Sequence, residues 1–262
     1  MEIKGKAAIV TGASSDEGIG SECAKILASR GCNVVVNYAT NKTGGEKIAA
    51  ACRAAGADAI VVQGDVSKNE DCERLVKACI DKWGRLDVLI NNAATTKPIP
   101  HRRMDLLDAA EFQRIFAVNV IGTYQMTKAA APHLKASGDA AIVNISSVGA
   151  MRAGGSSMAY TASKAAINNL TLSSARALAP EVRVNALCPG GMLGAWTRKI
   201  LNEKQYQERL ERSKTEFPLK RGIWPYDVAV AALFLVEGAT TMTGEAIRMD
   251  CGQHLGDTSN RT

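Results

Sequence analysis

A chain of 262 residues with 46% hydrophobic and 22% charged residues is too apolar to be disordered. At that length it buries roughly 70–75% of its unfolded surface and needs no disulfide staples. The net charge of +6 is scattered, its tightest groups being Arg102–Arg103 and the mixed-sign run from Arg198 to Lys214. That excludes a nucleic-acid stripe but allows mild steering of a phosphate-bearing cofactor or an acidic substrate. The seven cysteines are odd in number, and no C-x-x-C occurs. Together with three histidines that lack ligand spacing, they point to a reducing compartment without zinc. No signal segment or membrane-length apolar run occurs, so the expectation is a soluble, cytoplasmic protein.

In chain order, Ala7–Val10 reads as a buried strand. Ile19, Cys23, Ile26 and Leu27 follow helical spacing and stop before Gly31. Asn33–Asn37 is a second strand, Lys47–Ala55 a helix, Ala59–Val62 a third strand, Asn69–Trp83 a helix and Leu86–Ile90 a fourth strand. A long helix over Phe112–Ala131 precedes a fifth strand, Ala141–Ile145. A helix over Tyr160–Leu178 leads into the strand Val182–Leu187, and Asp227–Val236 and Glu245–Met249 close the pattern. Such alternation means βαβ units: an α/β, Rossmann-type, doubly wound parallel sheet of about seven strands with helices on both faces. No linker interrupts residues 1–262, which read as one domain. The stretch 191–224, with Trp196, Tyr206, Phe217 and Trp224, reads as a helical lid over a pocket, and the polar tail 253–262 as a mobile end or a wrap for a neighbouring copy.

Between the first strand and the first helix lies Thr11-Gly12-Ala13-Ser14-Ser15-Asp16-Glu17-Gly18-Ile19-Gly20. Gly12 permits a sharp reversal, Gly18 a close approach to a pyrophosphate, and Gly20 close packing of helix on strand. The backbone of Ser14, Ser15 and Ile19 and the helix N-terminus offer N–H groups to phosphate. At the end of the second strand, an acidic residue would bind a ribose 2′-hydroxyl. Asn37 and Tyr38 stand there instead, and Lys42 follows. A neutral Asn37 removes repulsion against a 2′-phosphate, while Asp16 and Glu17 add negative charge nearby. The balance favours NADP, with NAD as the alternative.

Tyr160 and Lys164 lie one helical turn apart, on one face. An ammonium beside a phenol favours phenolate and lowers its pKa, which suits general acid–base work. Polar strand exits at Asn91–Ala94 and Asn144–Ser147 stand where open α/β sheets bind ligands, and a serine there can hydrogen-bond a substrate oxygen.

These motifs, in this order, resemble the short-chain dehydrogenase/reductase family over nearly the whole chain. The resemblance assigns Asp65-Val66 and Asn92-Ala93 to cofactor contact, as it does Pro189-Gly190 after strand six. Ser147, 13 residues before Tyr160, would polarise the substrate carbonyl, and Ser146 would not. Tyr160 would give or take the proton. Lys164 would hold the nicotinamide ribose and lower the tyrosine pKa, and Asn119 would link Lys164 to solvent protons through water. No metal is implied, and a homotetramer is expected. The two extra residues Asp16 and Glu17 make the glycine turn bulge. Ala94, Gly194 and Cys251 also depart from the family pattern, and Gly194 removes a threonine contact to the cofactor carboxamide.

The implied activity is hydride transfer between a nicotinamide dinucleotide and a small carbonyl or secondary alcohol, with texture closest to 3-oxoacyl-[acyl-carrier-protein] reductases. Sugar or polyol dehydrogenases of the same family, and a dinucleotide-binding regulator without chemistry, are the alternatives. His101, Arg102 and Arg103 are positioned in sequence to receive an acidic substrate or carrier protein, or to be solvated loop charges.

Overall fold

The structure is a computed structural model that describes residues 1–256. The part of the expected tail beyond residue 256 lies outside the described residues.

Alternation along the strands decides which side chain meets which layer. In β1 (Ala7–Val10), Ala8 and Val10 join the core on one face of the sheet, and Ala7 and Ile9 the core on the other. With both faces covered, all four residues are buried, so the strand reads as a continuous apolar run. The other strands are β2 (Asn33–Tyr38), β3 (Ala59–Gln63), β4 (Val88–Asn91), β5 (Ala140–Ile145), β6 (Val182–Pro189) and β7 (Ala246–Met249). Every pairing is parallel and the order is β3-β2-β1-β4-β5-β6-β7. The order reverses between β1 and β4, which opens a crevice at their carboxyl ends.

Helices α1 (Ile19–Ser29), α2 (Lys42–Ala54) and α9 (Pro225–Glu237) contribute to the core on one face. Helices α3 (Asn69–Trp83), α5 (Gly122–Ser137) and α6 (Met158–Leu178) fill the other. Side chains such as Leu27, Leu75, Met126 and Leu134 are essentially inaccessible, and burying each is worth about 1.5–3 kcal/mol before entropy.

The departures from the expected elements have local causes. Helix α2 starts at Lys42 rather than Lys47, because the Asn41 side chain accepts from Gly44 N–H at 3.0 Å and caps it. The expected helix over 112–131 is a longer path with a break in register: α4 (Ala109–Phe116), a π-helical turn over Ala117–Ile121, then α5. In that turn the Asn119 carbonyl accepts from the Thr123 hydroxyl at 2.8 Å. Gly122 follows, and a Cβ there would stand 2.7 Å from Val66. The segment 191–224 folds into α7 (Ala195–Ile200) and α8 (Glu203–Thr215).

Candidate active site

The exits of β1, β4, β5 and β6 converge on one cleft of about 1400 Å3, roofed by α7 and α8. Its cofactor end is stitched together by side chains. The Thr11 hydroxyl accepts from the N–H groups of Asn92 and Ala93 at 2.9 and 3.0 Å. The Asn92 amide donates to the carbonyls of Thr11 and Gly12 at 2.8 and 3.0 Å. Gly12 has φ +62, and a Cβ there would come within 2.9 Å of Ala93 Cα, so both backbone conformation and space demand glycine. Among the described residues no hydrogen bond claims the backbone N–H of Ser14, Ser15 or Ile19, and all three residues line the cleft. Unclaimed N–H groups at the start of α1, beside a turn that only glycine can make, fit a dinucleotide pyrophosphate.

The bulge made by Asp16 and Glu17 is anchored on three sides. The Ser21 hydroxyl bonds the Asp16 carbonyl at 3.2 Å and the Gly18 carbonyl at 2.8 Å. Asp16 pairs with Lys47 at 2.7 Å, and the Glu17 carbonyl accepts from Ala195 N–H of the lid at 3.2 Å. The departure at Gly194 belongs to the same contact: its φ is +96, and a Cβ would lie 3.1 Å from that Glu17 carbonyl.

Of the residues expected to touch cofactor, Gly12, Ser14, Ser15, Gly18, Ile19, Asp65, Val66, Asn92, Ala93, Tyr160, Lys164, Pro189 and Gly190 line the cleft. Gly20 does not. A Cβ on it would meet Asn92 and the Gly12 carbonyl, so it serves helix–strand packing. Tyr38 is 7% exposed and absent from the lining, so its expected place beside the ribose is corrected. Asn37 lines the cleft, but its side chain is occupied. Its Oδ1 accepts from Gly12 N–H at 3.0 Å, while its Nδ2 donates to the Gly64 carbonyl at 3.0 Å and to the Val62 and Tyr38 carbonyls at 3.3 Å. Asn37 therefore braces the glycine turn against β3 rather than reading the ribose. Lys42 is exposed and outside the lining. Ala39, Thr40 and Asn41, which sequence reasoning passed over, occupy that rim because the Asn41 cap pulls the α2 entry inward.

At the other end, Ser157 caps α6 and aims its first turn at the cleft, accepting Tyr160 N–H at 3.3 Å. Ser146 and Ser147 both line the cleft but differ in their partners. The Ser146 hydroxyl donates to the Lys164 carbonyl at 3.1 Å and is buried. Ser147 Oγ accepts from Gly149 N–H at 3.1 Å and lies beside the Tyr160 phenol. The Lys164 ammonium sits 5.6 Å from the Tyr160 ring centre and donates to the Ile145 carbonyl at 2.7 Å.

The expected electrostatics are corrected. Burial pushes the Tyr160 phenol up to about 12, against the opposing pull of Ser147, and pushes Lys164 down to about 8. Desolvation outweighs the Ser147 hydrogen bond, so the phenol is protonated at neutral pH. Asn119 is fully buried and outside the cleft lining. Its side chain bonds the Thr95 backbone and the Ser163 hydroxyl, so it reaches Lys164 through no direct contact. His101, Arg102 and Arg103 also lie outside the lining, and Arg103 is paired with Asp105 at 2.7 Å. The Trp196 ring stands 6.1 Å from the Tyr160 ring, a placement that the aromatic content of 191–224 hinted at without a position.

A family model described as enoyl-(acyl carrier protein) reductase matches residues 12–254. A ketoacyl reductase of the granaticin polyketide synthase from Streptomyces violaceoruber is 42% identical over 248 residues, covering 95% of this chain and 96% of that protein. The 3-oxoacyl-[acyl-carrier-protein] reductase FabG of Staphylococcus aureus is 32% identical over 252 residues, covering 95% and 98%. A crystal structure described as a short-chain dehydrogenase/reductase from Burkholderia xenovorans superimposes with a TM-score of 0.88 at 39% identity, covering 96% of this chain and 98% of that one.

Proposed function

The chain belongs to the short-chain dehydrogenase/reductase family and is an NAD(P)-dependent oxidoreductase of 3-oxoacyl reductase type, and from that premise we propose that it reduces a 3-oxoacyl carbonyl with NADPH, using Tyr160 as the proton donor. The observation that carries this reading is the convergence of Ser147, Tyr160 and Lys164, its ammonium 5.6 Å from the Tyr160 ring centre, on the same cleft that the glycine turn lines. Reduced nicotinamide, when bound, supplies the hydride. The protein's own groups manage the oxygen. Ser147 donates a hydrogen bond to the carbonyl and polarises it, and Tyr160 delivers its proton to the oxygen as negative charge develops there. Lys164 holds the cofactor ribose and returns a proton toward Tyr160, on a path that Asn119 helps to organise. Trp196 closes the roof, with residues 191–224 acting as the lid of a single catalytic unit.

Support for NADPH over NADH comes from the neutral rim Ala39, Thr40 and Asn41, and from Lys47, which holds the charge of Asp16. Thr40→Asp places a carboxylate where the 2′-phosphate would lie, and it should move the preference toward NADH without lowering stability. An unchanged NADPH/NADH ratio contradicts that placement.

Two separate apolar surfaces support assembly as a homotetramer. One stretch, running from α4 into α5, exposes Phe112, Ile121 and Tyr124, and α9 exposes Tyr226, Val230 and Phe234 at intervals of one turn. Light scattering of the purified protein tests it. Seven free cysteines, six of them buried, and the absence among the described residues of any helix long and apolar enough to cross a membrane support a cytoplasmic setting. The direct test of function follows the absorbance of reduced nicotinamide with a panel of 3-oxoacyl thioesters. No consumption of NADPH or NADH with any of them would overturn the proposal.

A further inference from the structure

Four residues of α8 face the cleft: Gln205, Glu208, Arg209 and Arg212. Their spacing of three, four and seven residues puts them on one side of the helix. That helix is held firmly. The Asn202 and Gln205 side chains cap its start reciprocally. Tyr206 is buried, with its hydroxyl accepting Gly194 N–H at 3.3 Å and Arg198 stacked 3.9 Å over its ring.

Most of the guanidinium groups around the cleft have partners. Arg114 is held by Glu111 and the Thr95 hydroxyl, Arg152 by Gln253, Arg198 by Glu203, and Arg212 by Glu216 at 2.8 Å. Arg209 has no hydrogen bond and no ion pair among the described residues, although it is half-buried. Burial and the neighbouring Arg212 both pull its pKa down, the signature of a cation that lacks an anion. Glu208 is exposed on the same side of the helix, and no ion pair or hydrogen bond joins it to Arg209 among the described residues. A guanidinium withdrawn from water without a partner is costly, and an oxyanion restores the balance with a fork of two parallel hydrogen bonds.

We propose that Arg209 is the receptor for an anionic group of the substrate, a carboxylate or a phosphate carried at a distance from the reacting carbonyl. The assignment rests on the reductase reading above and extends it: the lid selects oxoacyl substrates that carry a negative charge over neutral ketones. Lys199, exposed on α7 and unpartnered among the described residues, adds to the same field. The acid-receiving role that the sequence suggested for His101–Arg103 passes to the lid.

The test compares three probes with the same ketone: acetoacetate, whose charge is a carboxylate; acetoacetyl-CoA, whose charge is phosphate; and neutral ethyl acetoacetate. Calorimetry in saturating NADP+ measures binding, and reduced-nicotinamide absorbance measures turnover. The wild type should bind one of the anions more tightly than the ester, and that anion identifies the source. Arg209→Gln should lower the anion-to-ester affinity ratio about tenfold or more, the scale of a lost charge-assisted pair, with the same NADP+ affinity and unfolding midpoint. Arg209→Lys, which keeps the charge but not the fork, should lower the ratio less and provides the reading if the glutamine variant does not fold. An equal loss for the ester, a loss of NADP+ affinity, or a wild type with no preference for either anion overturns the assignment. Arg209-dependent anion binding without reduction of any probe keeps the receptor and refutes the reductase reading.

Discussion

The glycine turn and the lid bound the same cleft, yet they are built in opposite ways. Around the turn, neighbouring groups from β1, β2, β3 and β4 satisfy one another. Asn37 alone ties Gly12 to Val62 and Gly64, and Thr11 and Asn92 tie β1 to β4. In the lid, the helices touch the rest through few bonds, such as that from Ala195 N–H to the Glu17 carbonyl, and leave Arg209 and Lys199 unpartnered among the described residues. A surface braced in this way holds one shape while keeping the N–H groups of Ser14, Ser15 and Ile19 for a ligand. A surface with charge in hand is free to discriminate among substrates.

The largest effect belongs on the rigid side. Tyr160→Phe should cut kcat by at least ~10²-fold while leaving the cofactor dissociation constant unchanged, because only proton delivery is lost. Near wild-type turnover would break the assignment. Asn37→Asp would aim a carboxylate at the carbonyls of Gly64, Val62 and Tyr38, with no donor to give them. Urea unfolding should show a loss of about 1–3 kcal/mol, whereas an unchanged midpoint would mean that the brace is dispensable.

The third expectation concerns acid. Asp87 is fully buried at the entry to β4. Burial raises its carboxyl pKa, but Arg85 at 2.7 and 2.8 Å and Ala7 N–H at 3.0 Å outweigh that, and the net shift is downward. A lowered folded-state pKa stabilises the protein above the unfolded value and loses that contribution as pH falls through the folded one. The urea midpoint should therefore fall as pH drops below about 4, and fall less steeply in Asp87→Asn. A parallel decline in both proteins would remove Asp87 from the account.

The smallest effect on stability belongs to the lid. Trp196→Ala should raise KM several-fold yet change unfolding free energy by less than about 1 kcal/mol, since the ring is only partly buried. A large stability loss would show that the lid is part of the core and erase the contrast.

The elements that the sequence revealed best are those whose neighbours are close in the chain or whose pattern is periodic. β1 and α3 match their expected bounds, and the α2 start and the helix over 112–131 do not. An Asn41 side chain choosing Gly44 N–H, or a π turn closing at Asn119, leaves no trace in apolar periodicity. Ser147 and Tyr160 could be paired by spacing, but the sign of the phenol's shift could not. Spacing shows that Lys164 is near, while burial, set by β5, β6 and the lid, decides which influence prevails.

What the sequence determined by itself was therefore the sheet-and-helix alternation and the glycine turn, because each is encoded in contacts a few residues apart or in a period of two or 3.6. What only the tertiary structure decided was who is left without a partner: Asn37 is spent on backbone, Lys42 lies outside the cleft lining, and Arg209 lines the cleft unpaired among the described residues. Partnering depends on groups brought together from distant parts of the chain, and desolvation, which sets its energetic weight, exists only once the layers have closed.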